Sequence, residues 1–170
     1  SENYNSQKTY FNSMILLDNN FNIISKYDKK KLVPFGEFLP FEKILKSMGL
    51  KKITPGYSSF SQGTGEPIIN LKFNSDTINI LSLICYEIIF PGKFVKKDKP
   101  MLIINFTNDA WFGNTIGPHQ HFDSSIFRAI EEGRHLIRVA NTGISASIDP
   151  FGKILNKIPL NTSGYFDTKI

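Results

Sequence analysis

The chain contains one cysteine, Cys85, and its neighbours decide what that thiol could do. It follows Asn79-Ile80-Leu81-Ser82-Leu83-Ile84, which reads as a buried strand. It precedes Tyr86-Glu87-Ile88-Ile89-Phe90, which can begin a helical turn. A thiol at such a junction lies near backbone N–H groups and a positive dipole end, and both stabilise thiolate, the nucleophilic form. Taken by itself, a lone cysteine in an apolar run is more often a small buried hydrophobe. A second cluster, Lys29-Lys30-Lys31, runs into Leu32-Val33-Pro34-Phe35-Gly36-Glu37. A lysine beside a thiolate lowers the thiol's pKa and can stabilise an oxyanion. A bare lysine triplet is ordinarily a solvated run, but the stiff, aromatic, acid-bearing loop behind it is an unusual neighbour for one.

The third segment is Asn105-Phe106-Thr107-Asn108-Asp109-Ala110-Trp111-Phe112-Gly113. It reads as a buried strand ending in a polar and aromatic loop, the usual place for binding residues in α/β folds. Asn108, Trp111 and Phe112 are its candidates, and a packed loop cap is an equal alternative. His119 and His121 at i, i+2, without cysteines or a carboxylate set, make a poor zinc signature. A helix-start or structural role fits them better, and His135 also reads as structural. No metal and no cofactor is expected.

The elements that must position these residues follow from periodicity and turn chemistry. Phe11 to Leu17, the turn Asp18-Asn19-Asn20 and Phe21 to Tyr27 predict a hairpin. Pro34, Gly36 and Pro40 shape a loop, and Pro40 opens a short helix with Phe41, Ile44, Leu45 and Met48 on one face, ended by Gly49. Residues 53–65 read as an exposed loop. Ile68 to Phe73, Thr77 to Ile84 and Met101 to Phe106 predict strands, the last so apolar that both faces should be buried. Gly117 to Gly133 carries apolar residues at helical spacing. Leu136 to Ala140, Ile144 to Ile148, Lys153 to Ile158 and Tyr165 to Ile170 predict four more strands, with Asp149-Pro150-Phe151-Gly152 as a turn. Many strands with few helices between them imply a layered α/β sandwich, with no internal repeat and no linker.

Composition excludes several classes. At 170 residues and 41% hydrophobic content the chain can build a sizeable core, so disorder is not its main state. One cysteine rules out an internal disulfide framework and cysteine-rich zinc sites. No apolar run reaches the ~18 residues of a membrane-spanning helix. The net charge of +5 raises the question of nucleic acid. Arg128, Arg134 and Arg138 are the only arginines, however, and arginine is the residue of bidentate phosphate and base contacts. No nucleic-acid partner is expected.

The motifs fall in a definite order. Lys29-x-x-Leu32-Val33-Pro34-Phe35-Gly36-Glu37 is followed by Cys85-Tyr86-Glu87 and Asn108-Asp109-Ala110-Trp111-Phe112-Gly113. After these come Gly117-Pro118-His119-Gln120-His121, Arg128-Ala129-x-Glu131-x-Gly133-Arg134, Arg138-x-x-Asn141-x-Gly143 and Asp149-Pro150-x-Gly152. Together they resemble the nitrilase superfamily of carbon–nitrogen hydrolases, and within it more closely the bacterial apolipoprotein N-acyltransferases. The resemblance implies an αββα sandwich and a Glu–Lys–Cys triad. Cys85 would be the nucleophile, Lys29 the triad lysine and Glu37 the loop glutamate that accompanies the triad. Tyr86 and Glu87 would follow the nucleophile, with the Tyr86 N–H turned toward the oxyanion. The family's base glutamate lies in a Pro-Glu segment well before the lysine. Nothing upstream of Lys29 matches it, and Glu2 lacks the strand and loop context. Residues 1–170 are therefore expected to be one partial nitrilase-like domain, incomplete on its N-terminal side, with no second domain.

The resemblance also implies a reaction. A fatty acyl group would pass from a membrane phospholipid, through a cysteine thioester, to the N-terminal amine of a diacylglyceryl-cysteine lipoprotein. The setting would be the periplasmic side of the bacterial inner membrane, with membrane attachment through segments outside these residues. The Phe35, Phe38 and Phe41 loop and the Trp111-Phe112 pair would exclude water or touch acyl chains. A soluble amidase of the same superfamily and an inactive fragment with a binding role are the alternatives.

Overall fold

A computed structural model describes residues 9–41, 44, 47, 49, 59–73, 76–92 and 100–170. Its centre is a six-stranded sheet in sequential order, β3 (Ile68–Phe73), β4 (Asp76–Ile84), β5 (Leu102–Asn108), β6 (His135–Asn141), β7 (Ser145–Ile148) and β8 (Ile154–Ile158). The middle strands β4, β5 and β6 run parallel, and the pairs at either side are antiparallel. Parallel neighbours need a crossover, and β5 reaches β6 through the helix α1 (Gly117–Glu132). A separate two-stranded sheet, β1 (Ser13–Leu17) and β2 (Ile23–Asp28), forms the predicted hairpin. Among the described residues the chain is thus an α/β sandwich: a helix, a mixed sheet and a second small sheet.

Local chemistry sets the ends of these elements. The Asp18 carboxylate accepts the Asn20 and Asn22 N–H groups and closes the hairpin turn. Asp149 does the same for Phe151 and Lys153 between β7 and β8. Helix α1 starts at a proline in its first turn. It ends at Gly133 with φ +60°, where the Gly133 N–H reaches the Ile130 carbonyl and the Arg134 N–H that of Ala129. This paired closure is the Schellman motif.

The apolar core lies between α1 and one face of the sheet. Leu81, Leu83, Ile103, Leu136, Ala146 and Ile148 of the sheet meet Phe122 and Ala129 of the helix. Strand alternation puts Asn105 and Arg138 on this same face, paired side by side in β5 and β6. Hairpin β1–β2 lies against β3 and β4 on the other side. Beyond it that face is partly open, with Phe106 40% and Val139 46% exposed. The expectation that β5 is buried on both faces therefore holds for Leu102 and Ile103 and fails toward its end.

The expected strand Tyr165 to Ile170 does not form. That segment runs beside the sheet with side-chain bonds only, Ser147 to Thr168 at 2.8 Å and Asn156 to the Asp167 carbonyl at 3.5 Å. Alternation alone gives a strand no partner ladder. Most of the expected short helix after Pro40, and residues 53–58 of the expected loop, lie outside the described residues.

Gly63 fastens the second sheet. Its N–H donates to the Lys29 carbonyl at 2.9 Å, and a Cβ there would lie 2.0 Å from the Asp28 carbonyl oxygen. Gly63→Ala is expected to destabilise the protein by roughly 1–3 kcal/mol through overpacking against backbone. Urea unfolding followed by circular dichroism measures it, and an unchanged midpoint contradicts the packing described.

Candidate active site

Strand β4 delivers Cys85 to the end of the sheet, where the chain leaves in a 3-10 turn, Cys85–Ile89. Cys85 has φ +50°, the left-handed region, although it carries a side chain. Such a conformation costs on the order of 1–2 kcal/mol and persists only where surrounding bonds enforce it. The thiol is free and half-buried.

One side of the enforcement comes from Glu87, which is fully buried. Its Oε2 accepts the Ile84 N–H at 2.9 Å and closes the first turn. Its Oε1 accepts the Tyr27 hydroxyl at 2.8 Å and the N–H groups of Lys30 at 2.8 Å and Lys31 at 3.0 Å. Burial and the Glu87 charge hold the Tyr27 hydroxyl firmly protonated, so it remains a donor. Two segments nearly 60 residues apart are thereby stitched together, with Lys29 next to one seam and Cys85 next to the other.

Lys29 is itself buried, 1% exposed. Its Nζ donates to both oxygens of Glu37, at 2.9 and 2.8 Å. Glu37 also accepts the Val33 N–H and the Asn12 side-chain amide, each at 2.8 Å. The Leu32 to Glu37 loop folds back on itself to allow this, with Phe35 at φ +62° and the Glu37 N–H on the Val33 carbonyl. A buried ammonium with a bidentate carboxylate is a fixed positive group, suited to a charge that develops nearby. Beside this seam opens a cleft of about 420 Å³, walled by Leu32, Phe38, Phe60, Tyr86 and Phe90 and edged by Lys30 and Lys31.

The other side of Cys85 is a polar layer under α1 that the sequence reading did not single out. Arg138, with no exposure, donates to Asn105 Oδ1 and to Asp109 Oδ2, both at 2.6 Å, and to the Ile144 carbonyl at 3.2 Å. Asp109 Oδ1 meets His121 Nδ1 at 2.9 Å and accepts the Thr107 hydroxyl at 3.0 Å. Burial pushes the Asp109 carboxyl up, but the His121 bond and the Arg138 charge outweigh it and hold the group below its ordinary value. Burial also lowers the Arg138 guanidinium, against the opposing pull of Asp109. Gly143 is required here, because a Cβ would lie 2.2 Å from Asp109 Oδ2.

The loop candidates divide. Asn108 holds the turn after β5, its side-chain oxygen accepting the Ala110 N–H at 3.2 Å and the Asn141 amide at 3.3 Å. Phe112 leans on the His121 ring, with centroids 5.4 Å apart. Trp111 is 59% exposed, and neither aromatic lines the cleft. Glu2 lies outside the described residues. Among the described residues no group of His, Cys, Asp or Glu is placed to hold a metal ion, and no helix is long and apolar enough to cross a membrane.

Comparison with known proteins places this geometry among relatives. A family profile described as carbon-nitrogen hydrolase matches residues 1–170. The chain is 42% identical over 162 residues to the apolipoprotein N-acyltransferase of Rhizobium rhizogenes, covering 95% of this chain and 30% of that protein. It is 42% identical over 167 residues to the enzyme of the same name from Rickettsia prowazekii, covering 97% and 32%. The chain thus spans about a third of the length of these curated relatives. Among solved structures, an amidase from Nesterenkonia sp. superposes with TM-score 0.54 at 19% identity, over 88% of this chain and 51% of that one. A carbon–nitrogen hydrolase superfamily protein from Xanthomonas campestris, with an arsenic adduct in its active site, gives 0.55 at 17% identity, over 87% and 52%. At such identities the structural likeness shows the fold alone.

The polar layer has a pH signature. A carboxyl depressed in the folded state contributes stability that is present above its ordinary value of 3.8 and is lost as pH falls through the folded value. The unfolding midpoint is expected to drop below about pH 4; Asp18 and Asp28 are lowered in the same way and share this acid limb. Asp109→Asn strands the buried Arg138 charge, and a loss of roughly 3–5 kcal/mol with a flatter acid limb is expected. Thermal melts from pH 2 to 7 provide the check. Tyr27→Phe, which deletes one donor to Glu87, should cost about 1–2 kcal/mol by the same measurement.

Proposed function

Because the chain belongs to the carbon-nitrogen hydrolase family, we propose that Cys85 is the nucleophile of an N-acyltransferase that matures lipoproteins. The observation that carries this reading is the stitched pair of segments. A buried Lys29 ammonium, fixed by Glu37, and a left-handed Cys85 at a helical N-terminus are joined through Glu87. The relatives' printed names supply the substrate class, apolipoprotein.

The chemistry follows from these groups. The Cys85 thiolate attacks the ester carbonyl of a phospholipid, and its electron pair forms the C–S bond. The carbonyl oxygen becomes an oxyanion, which the Lys29 ammonium and the Tyr86 N–H receive; donors of this kind are worth ~3 kcal/mol each. Collapse expels the lysophospholipid alkoxide, which takes a proton, and leaves a thioester on Cys85. The free α-amine of a diacylglyceryl-cysteine lipoprotein then attacks the thioester and releases the thiolate and the N-acylated product. Glu37 does not take the thiol proton, since both its oxygens are committed to Lys29. That proton goes to the family's base glutamate, which the resemblance puts N-terminal to Lys29, and from it to the lysophospholipid alkoxide; the same glutamate then takes the proton that the α-amine loses as the amide forms. Glu87 acts by positioning.

A transferase must keep water from the thioester. The apolar cleft beside Tyr86 receives the acyl chain, and Phe38 and Phe60 form its walls. Of the aromatic residues considered for this task, Phe38 lines the cleft, while Phe35 and Phe41 are 44% and 80% exposed. The reaction's place is the periplasmic face of the bacterial inner membrane, where both lipid substrates meet.

Incubation with phospholipid vesicles and intact-mass spectrometry tests the reading. A fatty-acyl mass is expected on the parent protein and not on Cys85→Ala. Lys29→Ala should lower the acylation rate by about two orders of magnitude. Phe38→Ser is expected to raise hydrolysis of the adduct relative to transfer. Acylation that persists in Cys85→Ala rejects the proposal, and turnover of short amides in place of lipid favours an amidase.

A further inference from the structure

Two donors converge on the Cys85 carbonyl: His121 Nε2 at 3.3 Å and the Asn105 side-chain amide at 3.5 Å. Neither is free to wander. The His121 ring is held at Nδ1 by Asp109, and Asn105 is held by Arg138, which also binds Asp109. His121 is 5% exposed, Asn105 and Arg138 not at all. Helix α1 carries His121, β5 carries Asn105 and β6 carries Arg138. Three elements are thus braced against the left-handed Cys85 peptide.

We propose that His121 is a positioning residue for the nucleophile. Its Nε2–H grips the Cys85 carbonyl, and the Asp109–Arg138 pair fixes the ring, so that the Cys85 peptide is kept left-handed and the thiol keeps one direction. The inference rests on the reading of Cys85 as nucleophile. Glu87 anchors the Ile84 N–H on the strand side of Cys85, and His121 anchors the carbonyl on the turn side. A peptide pinned at both ends pays the cost of the left-handed conformation in advance, before substrate arrives.

The hydrogen count agrees. For Nε2 to donate to a carbonyl it must bear a hydrogen. Nδ1 faces the Asp109 carboxylate at 2.9 Å and an Arg138 N–H donor at 3.1 Å. With the hydrogen on Nε2, Nδ1 accepts from Arg138 in the neutral ring and donates to Asp109 only in the doubly protonated one, and the Nε2–H grip is present in both of these states. Among the described residues the charged or titratable groups facing His121 are Asp109 after β5, Arg138 on β6 and Cys85 itself.

Two substitutions separate this role from plain packing. Asparagine at 121 reproduces the Nδ1 side of the ring, bonding Asp109, but is too short for the Cys85 carbonyl. Glutamine reaches the carbonyl with its amide N–H. Cys85 alkylation by iodoacetamide, followed by mass across pH 6–10, reads the thiol directly and needs no lipid. His121→Asn is expected to slow alkylation about tenfold, the worth of one such bond. His121→Gln should stay within about twofold of the parent at every pH. Unfolding midpoints confirm that the compared variants are folded. If folded His121→Asn alkylates like the parent, or if both variants slow equally, the proposal is overturned. Absence of an acyl adduct on the parent, with this alkylation pattern intact, would reject the acyltransferase and leave the positioning role standing.

Discussion

The Glu87 carboxylate is the contact to which the rest of the site is referred. A carboxylate taken fully out of water costs several kcal/mol unless its oxygens are satisfied. Here four donors satisfy it, one from its own turn and three from the stretch between Tyr27 and Lys31. If either segment moves, buried donors are left unpaired at a cost of roughly 1–3 kcal/mol each. The Cys85 turn and the lysine loop therefore form as one unit. The second carboxylate, Glu37, extends that unit by one link, converting a lysine that would otherwise reach for solvent into a fixed charge.

The parallel strands β4, β5 and β6 explain where this happens. Their carboxyl ends point the same way, so the loops after β4 and β5 and the end of β6 gather at one edge of the sheet. Cys85, Asp109 and Asn141 stand at those ends. The antiparallel strands on either side widen the sheet, and the turn into β7 brings Gly143 against Asp109 at this same edge. Below it, Arg138 occupies a place in the core that an apolar side chain would otherwise fill. Its bonds to Asn105, Asp109, Ser125 and Ile144 make a buried cation tolerable and give the helix a single seat on the sheet.

Much of this was legible in the chain before its structure. The hairpin follows from Asp18-Asn19-Asn20 between alternating runs and the helix from its proline start, apolar spacing and glycine stop, whereas Cys85, which its apolar run alone makes a buried hydrophobe, stands out through the family resemblance. The stiff, acid-bearing loop marks the Lys29 to Lys31 cluster, and the family resemblance assigns Lys29 and Glu37 their roles, but their pairing rests on a fold-back that spacing cannot specify. Each of Asp109, His121 and Arg138 stands in a motif that carries the resemblance, but their grouping into one layer does not follow from the sequence, for a physical reason. Its members are 12 to 29 residues apart, and nothing in their local pattern reveals that three polar side chains share a core face. The alternation Leu102-Ile103-Ile104-Asn105, continued by Arg138 opposite, was the available signal: a polar residue on each of two neighbouring strands inside an apolar stretch. The tail after Tyr165 misled in the opposite sense, since its alternation exists without a neighbouring strand to read it.

The left-handed Cys85 sets the site against the stability of the fold. Glycine occupies such a backbone without penalty and would relax the peptide that the surrounding bonds now hold. A population selected for heat resistance alone would drift toward glycine at this position and lose the thiol in doing so. The thiol persists there only while something outside the folding equilibrium rewards it, so the residue at position 85 reports what the chain is being kept for.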